Sequence, residues 1–259
     1  MPFTLAHPAA VLPLRGLRWL RTAPLIIGAL VPDTSYYLPK SIGRYLIGNH
    51  SFIGSYTTDL AVGYALLAAV FVLRQPLTAL LSVRARALCL SALEPFRRNP
   101  REWAFAAPAI VLGVWTHLLW DSFTHPDGWM VLRVAALSAP LSIGPYRGTV
   151  CDVLQYLSSA LGLAVLAAWY WKLPAPLAAP ADPDAARSPV GPVLVLVAAA
   201  ALLIGCVQAL VYFVHAHHVY RMLNILLTGS VAWFALLYLV AGVIVTLEHA
   251  HERVPERRA

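Results

Sequence analysis

Charged side chains are scarce in this chain. Asp, Glu, Lys and Arg make up 12% of its 259 residues, about half of the ~25% that a soluble domain uses to cover its surface. With 59% of the residues hydrophobic, that shortage excludes a soluble globular protein, because much of the surface must face lipid. The formal net charge of +7 therefore gives no reason to expect a nucleic-acid partner. Most arginines sit in short connections beside apolar runs, the arrangement of a chain oriented by the positive-inside rule. Cysteine is sparse too: Cys89, Cys151 and Cys206 are scattered, without CxxC spacing. They read as lipid- or core-facing thiols, with neither a disulfide framework nor a thiolate zinc site implied. The opening MPFTLAHPAAVLPL has no basic start ahead of its apolar residues, so a cleaved signal peptide is not expected. No convincing internal repeat is found.

Long apolar segments are abundant. A span needs about 20 mostly apolar residues, and five stretches meet that standard: Ser55 to Leu73, Trp103 to Asp121, Val153 to Trp171, Pro192 to Val214 and Ile225 to Leu247. The expected fold class is all-α, an integral membrane helical bundle of about five transmembrane helices. Upstream, Arg15, Arg18 and Arg21 recur every three residues, and Pro13 and Pro24 bound or bend the segment. This predicts an N-terminal helix that lies in the interface or re-enters it. The chain reads as one transmembrane domain over residues 1–259. Within it, 1–54 holds the N-terminal helix and a loop with PD and histidine. Residues 55–126 hold two spans, and 127–259 hold three more, with a Pro/Ala-rich loop near 174–190.

The connection from Arg74 to Arg101 carries six arginines and is expected in the cytoplasm. The segments Asp33 to Gly54, Ser122 to Asp152 and His215 to Asn224 then fall on the opposite side. One conflict follows: Arg15, Arg18 and Arg21 would also lie outside, unless the first helix crosses. The three later spans carry almost no ionisable residues, which argues against a transporter or channel.

The polar residues of the first half converge. In THLLWDSFTHP, residues 116–126, His117 and Asp121 are four apart and share one helical face. His125 extends the stripe, and Pro126 disfavours the helical state at His125. An aspartate inside a span costs a few kcal/mol on insertion scales, ~2.5–3.5, unless a cation, partner or water sits beside it. Imidazole and carboxylate together suit zinc and similar ions. His7, Asp33 and His50 are expected at the same end, giving six candidate metal ligands: His7, Asp33, His50, His117, Asp121 and His125. Other readings stand beside this one. Asp33 caps the helix starting near Thr34, Asp121 neutralises Arg133 or Arg147, and isolated interfacial histidines are ordinarily hydrogen-bonded. Arg133 and Arg147 are candidate substrate-phosphate contacts, with headgroup anchoring as the alternative.

An early histidine, then PD, a histidine, and HxxxD with a histidine close behind make a pattern that resembles the zinc-dependent phospholipase C superfamily. That superfamily also contains single-strand nucleases. The stretches MPFTLAHPAAVLPL and GVWTHLLWDSFTH are similar to a bacterial membrane family of unknown function, domain-of-unknown-function family 4184, near membrane-bound relatives described as metal-dependent hydrolases. The likeness covers Pro2 to about Pro126. It implies one or two divalent ions, zinc by the likeness. Asp33, His50, His117 and Asp121 would hold one ion; Asp121 would bridge to a second that His7 also binds. His125 matches the first ligand of a third ion, but no His…Glu pair follows it; Asp127, Asp152 or the group His215, His217 and His218 are the substitutes. Asp33 and Asp121 are the implied catalytic carboxylates. The implied activity is hydrolysis of a phosphoester, such as a phospholipid or lipid-linked phosphate, at the extracytoplasmic face of the bacterial cytoplasmic membrane. The alternative is a non-catalytic membrane protein with a structural metal site or a partner-binding role. Membrane lipid is the expected partner; oligomeric state is left open.

Overall fold

The computed structural model describes residues 4–17, 19–38, 51–143, 146–174, 190–217 and 219–256. They are helical almost throughout, so the all-α expectation holds. Among the described residues, four helices are long and apolar enough to cross a membrane: Arg101–Thr124, Val150–Lys172, Gly191–Ala216 and Arg221–His249. This is an integral membrane protein. The expected span from Ser55 to Leu73 is shorter than the sequence suggests. A 3-10 turn takes Gly54–Tyr56, leaving the 15-residue helix Thr58–Val72. At ~1.5 Å per residue that is ~22 Å, short of the ~30 Å hydrocarbon core.

Contacts group the chain into two compact units, residues 1–68 with 95–174, and residues 69–94 with 175–259. In the first unit, a 3-10 helix, Thr4–Gly16, leads into α1, Thr22–Leu30, and a further 3-10 turn, Val31–Asp33, joins α1 to the short α2, Thr34–Tyr37. Then come α3, Thr58–Val72, whose last residues belong to the second unit, and α6, Arg101–Thr124. After a loop containing α7, Ala135–Ser138, a two-stranded antiparallel hairpin pairs β1, Pro140–Ile143, with β2, Tyr146–Thr149. It delivers the chain to α8, Val150–Lys172. A capping box starts α8: the Asp152 carboxylate accepts from the Thr149 backbone N–H and hydroxyl at 2.8 and 2.6 Å, satisfying otherwise orphaned donors. Lys172 lies in its last turn, where the helix dipole favours a cation.

The N-terminal segment does not lie flat. Thr4 meets Asp33, since its hydroxyl donates to that carboxylate at 2.6 Å. At the other end, Arg15 sits over the Trp169 ring, 5.5 Å from its centroid, in the last turn of α8. Arg21 grips Glu102 with two hydrogen bonds of 2.7 and 2.6 Å. The chain thus runs from the Asp33 end to the Arg101 end and returns along α1. Of the two expected forms, this is the re-entrant one. It also removes the conflict over the arginines: Arg15 and Arg21 lie at the end where α6 begins and α8 stops. Arg18 falls outside the described residues.

Packing holds this hairpin against α6. In lipid, apolar surface gains little from helix association, so close van der Waals fit and hydrogen bonds carry it. Two glycines allow the fit: a methyl group at Gly28 would fall on the Ile110 carbonyl, and one at Gly113 on the Leu25 carbonyl. Val11, Leu20, Leu25, Ala29 and Ala109 form the buried cluster between these segments. On the other flank, the Trp120 indole N–H donates to Ser158 Oγ of α8 at 3.1 Å, and Gly162 packs against Ala6.

In the second unit, α9, Val190–Ala216, and α10, Val219–Glu256, form a helical hairpin turning at His217, whose φ is 52°. The short α4, Arg74–Ala79, packs on α10, and the Tyr238 hydroxyl donates to the Leu77 carbonyl at 2.9 Å. The remaining helix, α5, Val83–Arg98, leads the chain back to the first unit.

Candidate metal centre

The helical stripe expected in α6 is present. His117 Nε2 lies 3.1 Å from Asp121 Oδ2, and His125 Nδ1 lies 3.3 Å from Asp121 Oδ1. His125 is where the helix stops. Its backbone is extended (φ −113°, ψ 141°), while its N–H still donates to the Asp121 carbonyl at 3.1 Å. Pro126 follows and disfavours a further helical residue. The other His125 nitrogen, Nε2, lies 3.0 Å from the Gln155 side-chain amide of α8.

Two ligand candidates come from outside α6. His7, on the N-terminal 3-10 helix, places Nε2 3.1 Å from Asp121 Oδ1, and its ring stacks on His117 with centroids 3.9 Å apart. Asp33, at the end of the turn after α1, places Oδ1 3.7 Å from His117 Nε2. The capping reading of Asp33 fails: it makes no side-chain cap hydrogen bond to α2, and its carboxylate instead accepts from Thr4. Nor does Asp121 need Arg133 or Arg147, since it faces His7, His117 and His125. Exposure is 0% for His117, 3% for Asp33, 6% for His7 and 8% for Asp121. The site is buried among the first unit's own helices.

The tautomers matter most. A carbonyl oxygen only accepts, so His117 Nδ1, 2.8 Å from the Ala29 carbonyl, must carry a proton. The same holds for His7 Nδ1, 3.2 Å from the Thr4 carbonyl. With Nδ1 committed, each ring turns Nε2 toward a carboxylate oxygen. A lone pair facing a carboxylate oxygen at 3.1 Å repels it unless something positive lies between. Either a proton on each Nε2 or a divalent cation between the rings and the carboxylates supplies that charge.

The separations suit an ion. Zinc bonds of ~2.0–2.2 Å in a tetrahedron set its ligand atoms about 3.3–3.6 Å apart. From His117 Nε2, Asp121 Oδ2 at 3.1 Å and Asp33 Oδ1 at 3.7 Å bracket that edge, while His7 Nε2 meets the other Asp121 oxygen at 3.1 Å. Ligand atoms of His7, Asp33 and His117 all lie within 4.8 Å of one another. The donor set of imidazole nitrogen and carboxylate oxygen therefore fits a zinc-type cation.

Of the six sequence candidates, five come together: His7, Asp33, His117, Asp121 and, at the rim, His125. His50 lies outside the described residues. Arg133 stacks over Trp129 at 4.2 Å and donates to the Trp129 carbonyl, while Arg147 donates to the Tyr146 carbonyl; both are exposed. Among the substitutes for a third ion, Asp152 serves the capping box, Asp127 is exposed in the turn after α6, and His215 turns Nδ1 to the Val211 carbonyl. His218 lies outside the described residues. Sequence reasoning missed Thr4, Tyr37 and Gln155. Gln155 was visible as an isolated amide in an apolar span; Thr4 had no signal, because a proline-containing 3-10 helix has no apolar period to read.

The family described as domain of unknown function (DUF4184) matches residues 1–247, nearly the whole chain, and the protein belongs to it. No curated protein matches the sequence, and no solved structure matches it.

Proposed function

We propose that the protein is a membrane-embedded, divalent-metal-dependent hydrolase of a phosphoester, a phospholipid or lipid-linked phosphate. The observation that carries this is the pair of imidazoles, His7 and His117, whose Nδ1 protons are spent on carbonyls and whose Nε2 edges meet carboxylates. His7, Asp33, His117 and Asp121 would hold one or two ions, with zinc favoured by the mixed nitrogen and oxygen donors and His50 as the further ligand expected from sequence. Such an ion lowers the pKa of a bound water toward neutrality and polarises a phosphoryl oxygen.

The chain's own residues do the rest. Asp121 divides its two oxygens between His117 and the pair His7 and His125, which suits a bridging carboxylate. Asp33 and Asp121 are the groups available to orient the attacking water and take its proton. His125, with 24% of its side chain exposed, is the least buried member of the group. Sidedness is supported by α6 itself. Its first residue is Arg101, after Arg97 and Arg98, and Asp121 lies about 20 positions on, ~30 Å along the axis. Positive residues mark the cytoplasmic end, so the reaction would face the extracytoplasmic side of the bacterial cytoplasmic membrane, near lipid headgroups. Arg133, stacked and exposed beside Trp129, suits headgroup anchoring; Arg147 stays a candidate phosphate contact.

Burial of His7, Asp33 and His117 favours a second reading, a closed structural metal site without a reaction. Metal analysis of purified protein, with turnover of phosphatidylglycerol vesicles and of bis(p-nitrophenyl) phosphate, separates the two. The hydrolase reading expects metal-dependent turnover that His117→Ala and Asp121→Ala abolish. Turnover retained in both variants removes it. Bound metal without turnover, with thermal stability lost on chelation, establishes the structural reading instead.

A further inference from the structure

We infer that Thr4 is the positioning residue of this centre, holding His7 and Asp33 through two different atoms; the inference rests on the metal-binding reading above. Its carbonyl accepts from His7 Nδ1 at 3.2 Å. Its hydroxyl donates to Asp33 Oδ2 at 2.6 Å. In a 3-10 helix residues three apart eclipse one another, so Thr4 and His7 share a face, and the Thr4 carbonyl meets the ring that its own turn presents.

The hydroxyl has a set direction. The Tyr37 phenol donates to Thr4 Oγ1 at 2.9 Å, so the single Thr4 proton is left for Asp33. Burial holds the Tyr37 phenol above its ordinary range, consistent with an O–H that stays protonated and donates. The relay runs Tyr37 to Thr4 to Asp33. Its consequence lies in coordination mode. With Oδ2 engaged by Thr4, Asp33 turns Oδ1 toward His117 Nε2 and offers a cation one oxygen. Released from Thr4, the same carboxylate can offer both, closing the position that a reacting water needs. Thr4 itself is 5% exposed, and its hydroxyl is spent on Asp33, so it acts through the ligands.

The test uses the purified full chain and Co²⁺ as the probe, with binding and coordination read from the visible absorption of the ion. Thr4→Val should weaken Co²⁺ binding ~10–100-fold, the usual effect of losing an outer hydrogen bond to a ligand, and should change the band shape. Thr4→Ser, which keeps the hydroxyl, should restore both affinity and spectrum. Wild-type affinity and spectrum in Thr4→Val overturn the inference. If Thr4→Val does not fold, Tyr37→Phe decides: weaker Co²⁺ binding at native thermal stability supports the relay, and unchanged binding overturns it. The underlying reading fails separately. If wild type binds no Co²⁺, the metal site falls and the Thr4 role with it; if wild type binds and Asp121→Ala does not, an unaffected Thr4→Val removes Thr4 alone.

Discussion

Gly28→Ala is a mutation at a residue that supplies no ligand atom, yet it should disable the centre. The added methyl would fall on the Ile110 carbonyl of α6, and backbone cannot swing aside as a side chain can. Restoring a normal carbon–oxygen contact requires α1 to move about 1 Å away from α6, and overpacking of this kind typically costs ~1–3 kcal/mol. The adjoining residue, Ala29, carries the carbonyl that fixes the His117 tautomer at 2.8 Å. A shift of about 1 Å stretches that contact beyond hydrogen-bonding range and frees the ring to rotate. The expected result is a lower unfolding temperature in detergent together with Co²⁺ binding weakened ~10–100-fold. Gly16→Ala, where a methyl would meet open space, is the control. Wild-type Co²⁺ affinity in a folded Gly28→Ala protein would refute the link between helix approach and imidazole orientation.

Other outcomes follow from the same geometry. Asp121→Asn keeps the shape but removes the charge that faces three imidazoles, so metal content of the purified protein should fall to background; undiminished metal would show that the carboxylate is not a ligand. Chelation should destabilise the wild type by an amount set by mass action, ~2.7 kcal/mol when free metal stands at about 100 times its Kd, read as a shift in thermal unfolding that Asp121→Asn no longer shows. Gln155→Leu removes the amide at His125 Nε2 and should lower any turnover ~10-fold while leaving thermal stability near wild type; equal turnover would dismiss Gln155 as a support. Glu102→Gln breaks a partly exposed ion pair, worth up to ~1 kcal/mol, and should leave Co²⁺ affinity unchanged because it lies at the far end of α6; a loss of affinity there would contradict the separation of the two ends.

Residues within one helix were the readable part of the centre. HxxxD placed His117 and Asp121 on one face because four residues make just over one turn, and Pro126 marked the end of α6 at His125. The long apolar runs announced four spans for the same reason that lipid demands them. The fifth failed by a turn: Gly54–Tyr56 tightened into a 3-10 turn, and composition does not register that shortening. The N-terminal arginines were ambiguous in sequence because a helix lying flat and a hairpin returning on itself give the same spacing. Thr4 and the Ala29 carbonyl could not be found at all, one for want of a periodic signal and the other because a backbone acceptor carries no residue type.

That this chain lives in a membrane, and that imidazoles and carboxylates stand in its first half, is written in the order of its residues, because hydropathy and side-chain chemistry belong to the chain whatever its shape. The meeting of His7 and Asp33 with Asp121 and its neighbouring imidazole is not written there. They lie 114 and 88 positions before that aspartate, on separate segments, and folding alone brings them to it. What makes the meeting possible is a close crossing of α1 on α6, where two glycines let one backbone rest against the other.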